Sequence, residues 1–274
     1  MFPFKKKYLK FYRPRKVNKL TICGLLRVRN EELILQDTLD HLSEFCDGLI
    51  CYDDASTDKT FEILMSHQSV VEVIQNLKWL AEPTQRIERE TLDRKTLLDR
   101  AEFYKPSWLF YADADERFFG NIKDFLFSAE ALKVDGIRIQ LFDAYITLDD
   151  QAPFCQGKQL KNFRTFFGPE RRDILMIWRN SDNFRYEGLD AREPKYDLKM
   201  NIITKFYCQH YGKSLSIDHW EETCQYYINH FPFVPYGKKW TERQGKAIHR
   251  SSDFGRPLYQ WGEDLFSNSV RIHP

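Results

Sequence analysis

Trp108-Leu109-Phe110-Tyr111-Ala112-Asp113-Ala114-Asp115-Glu116 is the stretch whose reading decides the fold. Its four large apolar residues suit a strand buried on both faces. The acids begin where the apolar run stops. In an extended segment residues i and i+2 point to one side, so Asp113 and Asp115 present two carboxylates to a common point at the strand end. Facing carboxylates repel unless a cation lies between them, and hard oxygen ligands suit Mg²⁺ or Mn²⁺. A solvated acidic turn is the plain alternative. A lone D-x-D says little, and its place directly after a buried strand is what gives this one weight.

Upstream, the pattern alternates by element type. Leu20–Leu26 (LTICGLL), Gly48–Tyr52 and Val70–Ile74 predict strands. Glu31–Phe45, Lys59–His67 and Thr84–Tyr104 predict helices, the first with Leu33, Ile34, Thr38, Leu42 and Phe45 at helical spacing. Strands alternating with helices make βαβ units and an α/β fold with a mostly parallel sheet. Ligands of such sheets bind beyond the carboxyl ends of the strands. Three polar clusters stand there: Arg27–Asn30, Asp53–Asp58 and Asp113–Arg117. Downstream, Gly136–Phe142, Ile174–Trp178 and Ile202–Tyr207 predict strands, and Ser216–His230 a helix capped by Ser216. From Lys238 onward the chain reads as polar and irregular.

Over 274 residues, 42% hydrophobic and 30% charged content is that of a soluble globular chain. A net charge of +1 argues against a general polyanion binder, so no nucleic-acid partner is expected. Basic residues concentrate locally, from Lys5, Lys6 and Lys7 to Lys16 and Lys19. Residues 1–18 therefore read as a basic leader, either a solvated tail or an arm that rests on an anionic membrane surface. No apolar run approaches the length of a membrane span. The expected place is the cytoplasm, with peripheral membrane contact through that leader as the second reading. Six cysteines without C-x-x-C spacing read as free thiols, those within apolar runs buried, rather than as a disulfide or zinc framework.

Asp53-Asp54-Ala55-Ser56-Thr57-Asp58 leaves the second strand. Ser56 to Asp58 read as a turn and helix cap. Two adjacent strand-end carboxylates need donors, and a uracil imide N–H or a ribose hydroxyl would be one.

Together, Leu26-Arg-Val-Arg-Asn-Glu-Glu32, Asp53-Asp-Ala-Ser-Thr-Asp-Lys-Thr60, Arg94-Lys-Thr-Leu-Leu98 and Trp108–Glu116 resemble glycosyltransferase family 2 in order and spacing, over residues 19 to 120. The resemblance implies a GT-A (Rossmann-like) fold and an inverting enzyme that moves one sugar from a UDP-sugar to a hydroxyl of a glycan or other acceptor, with Mn²⁺ or Mg²⁺. It implies a nucleotide-sugar half at 19–135, an acceptor half at 136–237 and a tail packed on the core at 238–274. By position it implies a donor-nucleotide site of Arg27, Asn30, Asp53, Asp54, Arg94 and Asp113, with Asp54 on uracil. Asp115 is the implied metal ligand, helped by Asp113.

Phe206-Tyr-Cys-Gln-His-Tyr-Gly212 resembles a late block whose histidine completes the metal site, here His210. A structural histidine is the bland reading. Tyr186-Glu-Gly-Leu-Asp-Ala-Arg-Glu193 resembles the segment that carries the catalytic base, with Arg192 standing where relatives have His. Glu193 is the first candidate and Asp190 the second, and a plain surface loop is the alternative. The Q-x-x-R-W signature of processive synthases is absent, which favours single addition. A sugar-1-phosphate nucleotidyltransferase would carry a Gly-rich basic loop where Leu25–Asn30 stand, and a non-catalytic nucleotide- or carbohydrate-binding module is the third reading.

Overall fold

The computed structural model describes residues 8–232 and 236–272; Lys5, Lys6 and Lys7 of the basic leader lie outside them. The first half comprises β1 (Leu9–Tyr12), β2 (Ile22–Val28), α1 (Leu35–Ser43), β3 (Gly48–Asp54), α2 (Thr60–Ser66), β4 (Val70–Asn76), α3 (Pro83–Ala101) and β5 (Trp108–Ala112). The second half follows with β6 (Glu116–Phe119), α4 (Ile122–Leu126), β7 (Gly136–Tyr145), β8 (Phe166–Arg179), β9 (Phe184–Arg185) and β10 (Lys195–Tyr196). It ends with β11 (Ile202–His210), α5 (Ile217–His230), α6 (Tyr236–Arg243), β12 (Tyr259–Gln260), α7 (Glu263–Ser267) and β13 (Val270–Arg271).

Period-two burial sets the layers. In β2, Ile22, Leu26 and Val28 join one hydrophobic cluster while Cys23 and Leu25 join another. β3 and β5 divide likewise: Leu49, Cys51, Trp108 and Phe110 face the first cluster, and Ile50, Tyr52, Leu109 and Tyr111 the second. Strands buried on both faces require helices on both. Leu35, Leu39 and Leu42 of α1 and Leu64 of α2 cover one face, and Leu97 and Ala101 of α3 the other. Five of the six cysteines are buried, Cys155 is exposed, and all are free. Among the described residues no helix is long and apolar enough to cross a membrane.

The sheet runs β1-β4-β3-β2-β5-β8-β7-β11-β6. Its central strands β4, β3, β2 and β5 are mutually parallel, and antiparallel pairings enter through β1, β6 and β8. The order reverses direction at β2, which has β3 on one side and β5 on the other. That is the switch point where such sheets open a crevice.

Some boundaries depart from the periodicity. α1 begins at Leu35 because Glu31 and Glu32 are spent stitching two loops together. The Glu31 N–H donates to Thr60 Oγ1 at 2.8 Å and the Glu32 N–H to Asp58 Oδ2 at 3.1 Å, while Glu32 Oε2 accepts from the Lys59 N–H at 2.9 Å. Residues 9–12 form an edge strand on β4. The region after Lys238, expected to be irregular, contains the rest of α6, then α7 and two short strands on β8.

The turn holding the acids is fixed by Arg117, whose side chain is fully buried. It donates to Asp37 Oδ2 at 2.7 and 2.9 Å, to Thr38 Oγ1 at 3.0 Å, and to the carbonyls of Ala114 and Glu116 at 3.0 and 2.7 Å. Arg117→Ala removes the ion-pair partner of Asp37 and donors to two carbonyls, and urea denaturation should show a loss of about 3 kcal/mol. A loss below about 0.5 kcal/mol, the ordinary size of a surface substitution, would contradict this role.

Candidate functional site

Register assembles the acidic site. His210, the last residue of β11, lies opposite Asp143 of β7 on one side and Glu116 of β6 on the other. Asp115 precedes β6, and its carbonyl accepts from the Tyr211 N–H at 2.9 Å. The result is a row across the carboxyl ends of three strands. His210 Nε2 stands 3.3 Å from Asp115 Oδ2, and His210 Nδ1 stands 2.7 Å from Asp143 Oδ1. Arg172 and Lys213 also hold Asp143, Lys213 at 3.3 Å. Gly212 makes room for this: a Cβ there would sit 2.4 Å from Asp115 Oδ2 and 3.0 Å from the His210 ring.

Sheet order and acid placement coincide. The strand beyond the switch point, β5, is the one that delivers Asp113 and Asp115. The fold is α/β, with a mostly parallel, Rossmann-like central sheet.

Charge at this edge of the sheet is strongly coupled. Burial works against the charge on His210, but Asp115 and then Asp143 raise it to about 10. Burial works against Asp115 too, and His210 holds that carboxylate at about 2. Glu31 is raised well above its ordinary value by burial and by the neighbouring charges of Asp115 and Asp113. Arg192 reaches in from the 187–193 segment, 2.5 Å from Glu116 Oε1 and 3.3 Å from Asp113 Oδ2. Its Nη1 is buried without a hydrogen-bond partner.

The donor chemistry here fits a divalent cation. Two cis ligands about 2.1 Å from one octahedral ion stand about 3 Å apart, close to the 3.3 Å between Asp115 Oδ2 and His210 Nε2. His210 is also oriented by a carboxylate on its far nitrogen, as metal-ligating histidines are. Among the described residues no three His, Cys, Asp or Glu side chains converge to hold an ion unaided.

The second cluster lies at the ends of β2 and β3. Neighbouring residues of a strand point to opposite faces, so Asp53 and Asp54 part company. Asp54 faces α3, where Oδ2 accepts from Arg27 and Arg86, each at 2.7 Å, and Oδ1 accepts from Asn76 Nδ2 at 2.9 Å. The donors that two strand-end acids demand thus reach Asp54 from the protein itself. Asp53 faces the other way: Oδ1 accepts from the Ser56 N–H at 3.0 Å, while Oδ2 is buried without a hydrogen bond of good geometry, Gln75 being its neighbour. Asn30 joins the two loops, its Oδ1 accepting from the Thr57 N–H at 2.8 Å.

Arg94 donates to the Tyr111 hydroxyl at 3.0 Å and to Glu90 Oε2 at 3.1 Å. Arg27 also reaches Glu90 and Asp93. Arg27, Asp54 and Arg94 therefore belong to one buried ion network along α3. Residues that the sequence reading did not single out complete this wall. The Arg29 and Arg86 guanidinium carbons lie 4.1 and 5.4 Å from the Trp79 ring centroid. Arg29 Nε, Arg86 Nε and Nη1, and Trp79 Nε1 are all buried without hydrogen-bond partners. The helical spacing of Arg86, Glu90, Asp93 and Arg94 was a readable signal, since it repeats an apolar stripe in charged residues. Asp143, one residue past its expected strand, offered a weaker one.

The candidate bases separate. Glu193 accepts from Arg138 at 3.0 Å through both oxygens and from the Leu175 N–H at 2.7 Å, away from the acids. Asp190 lies on α3, its N–H bonded to the Ile87 carbonyl at 3.2 Å, in left-handed backbone with φ 51°. Its exposed carboxylate has no hydrogen bond or ion pair among the described residues.

No protein-family profile matches this chain. A stretch of 96 residues is 35% identical to the uncharacterized protein Rv3786c of Mycobacterium tuberculosis, and equally to Mb3815c of Mycobacterium bovis. The match covers 35% of this chain and 23% of each relative, so it spans under a quarter of the relatives' length. Among solved structures, a mannosyltransferase of Pyrobaculum calidifontis in complex with GDP-Man and Mn²⁺ aligns at TM-score 0.41 and 14% identity, covering 86% of this chain and 67% of its own. TarS of S. aureus in complex with UDP aligns at 0.38 and 14%, covering 85% and 74%. A 4-diphosphocytidyl-2C-methyl-D-erythritol synthase of Anaerococcus prevotii aligns at 0.33 and 15%, covering 60% and 73%.

Burial opposes the charge of Asp54, but Arg27 and then Arg86 hold it at about 2. A depressed carboxylate contributes stability above its unfolded value of about 3.9 and loses it as pH falls through its folded value. Wild type should exceed Asp54→Asn by on the order of 2–3 kcal/mol at pH 7. In denaturant titrations that gap should close between pH 4 and 2. A gap independent of pH would contradict the ion-pair account.

Proposed function

We propose that this chain is a glycosyltransferase that moves one sugar from a UDP-sugar to an acceptor hydroxyl, with inversion. The observation that carries the reading is Asp115 Oδ2 held 3.3 Å from His210 Nε2 at the switch-point edge, with Asp143 fixing the other ring nitrogen. Asp115 and His210, with Asp113 beside them, would hold Mn²⁺ or Mg²⁺. Such an ion, when bound, supplies charge neutralisation for the departing diphosphate.

The chain's own residues do the rest. Arg192 spans Asp113 and Glu116 with one nitrogen unpartnered, which suits a phosphate oxygen. Asp53 keeps a buried acceptor for the uracil N3–H, a role the family resemblance gives to its neighbour Asp54. Arg29, Arg86 and Trp79 offer unmet donors and a stacking face to the nucleotide. Asn30 and Arg94 shape that wall through the loop and α3. These groups are fixed before any ligand arrives, so little reorganisation opposes transfer.

A hydroxyl needs a positioned acceptor for its proton. Glu193 has its lone pairs engaged by three donors, so we rank Asp190 first.

Two measurements test this reading. UDP should bind tightly with Mn²⁺ in calorimetry, and its affinity should collapse with EDTA or in Asp115→Asn; equal affinity throughout would refute the metal assignment. Asp190→Asn should keep UDP affinity while turnover falls by about 10²–10⁴, and unchanged turnover would exclude it as the base.

A further inference from the structure

Behind His210 lies a second feature, which the donor site does not use. A cavity of about 590 Å³ opens between α6 and the loop that follows it, lined by Lys239, Arg243, Lys246, Arg250, Glu242 and Asp253 among others. Its charges are unevenly satisfied. Asp253 is taken by Lys213 at 2.5 Å, by Arg243, and by His249 at 3.6 Å. Among the described residues Glu242 pairs with Lys238 alone, at 3.9 Å on the outer surface. Lys239, Lys246 and Arg250 have no ion pair among the described residues. Partial burial, and then the charges of Arg243 and Lys213, draw Lys239 down to about 8. A concave site with uncompensated cations suits an anion.

Its wall is continuous with the acidic row. Lys213 contacts Asp253 on one side and Asp143 on the other, and Asp143 contacts His210. The cavity therefore lies on the acceptor side of the proposed transfer centre, in chain 202–260 rather than in the nucleotide half.

We propose that this cavity binds a phosphate group carried by the acceptor, placing a hydroxyl of the same molecule toward Asp115 and His210. The inference rests on the glycosyltransferase reading for the word acceptor, but not for phosphate binding itself. A phosphate ester small enough for the cavity is favoured over a flat membrane surface, because the three unpaired cations line a concavity instead of spreading over a plane.

The test is calorimetry with glucose 6-phosphate, with glucose as the uncharged control, both in the presence of saturating UDP. Wild type should bind glucose 6-phosphate and not glucose. A variant lacking the three unpaired cations (K239A/K246A/R250A, all exposed positions) should lose about tenfold or more in affinity, the scale of lost charge-assisted contacts. Removing Lys158, Lys195 and Lys199 from other surfaces should change nothing. UDP affinity, measured separately, should be equal in all variants; a protein that binds no UDP undermines the proposed function and leaves the phosphate result readable. Equal affinity in the two triple variants would overturn the proposal. So would binding to phosphatidylglycerol vesicles without any binding of glucose 6-phosphate.

Discussion

The site depends on one side chain, His210, wedged between two carboxylates from different strands. Asp115 belongs to the turn after β5 and Asp143 to the end of β7. Without the imidazole, these acids would face each other across a half-buried gap. With it, β5, β6, β7 and β11 are pinned at one edge, and the coupling of charges follows. Asp115 is held ionised, Glu31 is pushed toward its neutral form, and Arg192 is drawn over Asp113 and Glu116. Gly212 is part of the same constraint, since any side chain there would displace Asp115. The parallel sheet supplies the edge, and the Asp–His–Asp row makes it a candidate site.

The ion network on α3 has a different origin. An amphipathic helix normally turns an apolar stripe to the sheet, and α3 does so only in its C-terminal part, through Leu97 and Ala101. Toward its N-terminus, Arg86, Glu90, Asp93 and Arg94 are buried against the strand ends. Buried ion pairs bring little net stability for their desolvation cost. Their retention is understandable if they hold a surface open: the network leaves Arg29, Arg86 and Trp79 with unmet hydrogen-bonding capacity.

Much of the first half was legible because its strands are short, apolar and buried on both faces. LTICGLL, GLICY and WLFY mark β2, β3 and β5 closely. Ser216 caps α5 as its residue type suggests, accepting from the His219 N–H at 3.0 Å. The second half was less legible for a physical reason. β8 runs over 14 residues through charged Glu170, Arg171, Arg172 and Asp173, which interrupt any apolar pattern. The role of Asp54 was hidden in another way: two adjacent acids stand in the sequence, and only the pleat decides that one meets Arg27 and Arg86 while the other turns away. Glu193 was similarly ambiguous, since the turn that brings Arg192 to the acids sends its neighbour to Arg138.

The most direct test of this account is a crystal of the protein with UDP and Mn²⁺, examined by anomalous diffraction at the manganese edge. The account predicts one strong peak within about 2.1–2.3 Å of both an Asp115 carboxylate oxygen and His210 Nε2, the distance expected of a hard divalent ion. His210 Nδ1 should still face Asp143. A peak bound elsewhere, or UDP bound with Asp115 and His210 still paired directly and no manganese between them, would contradict it.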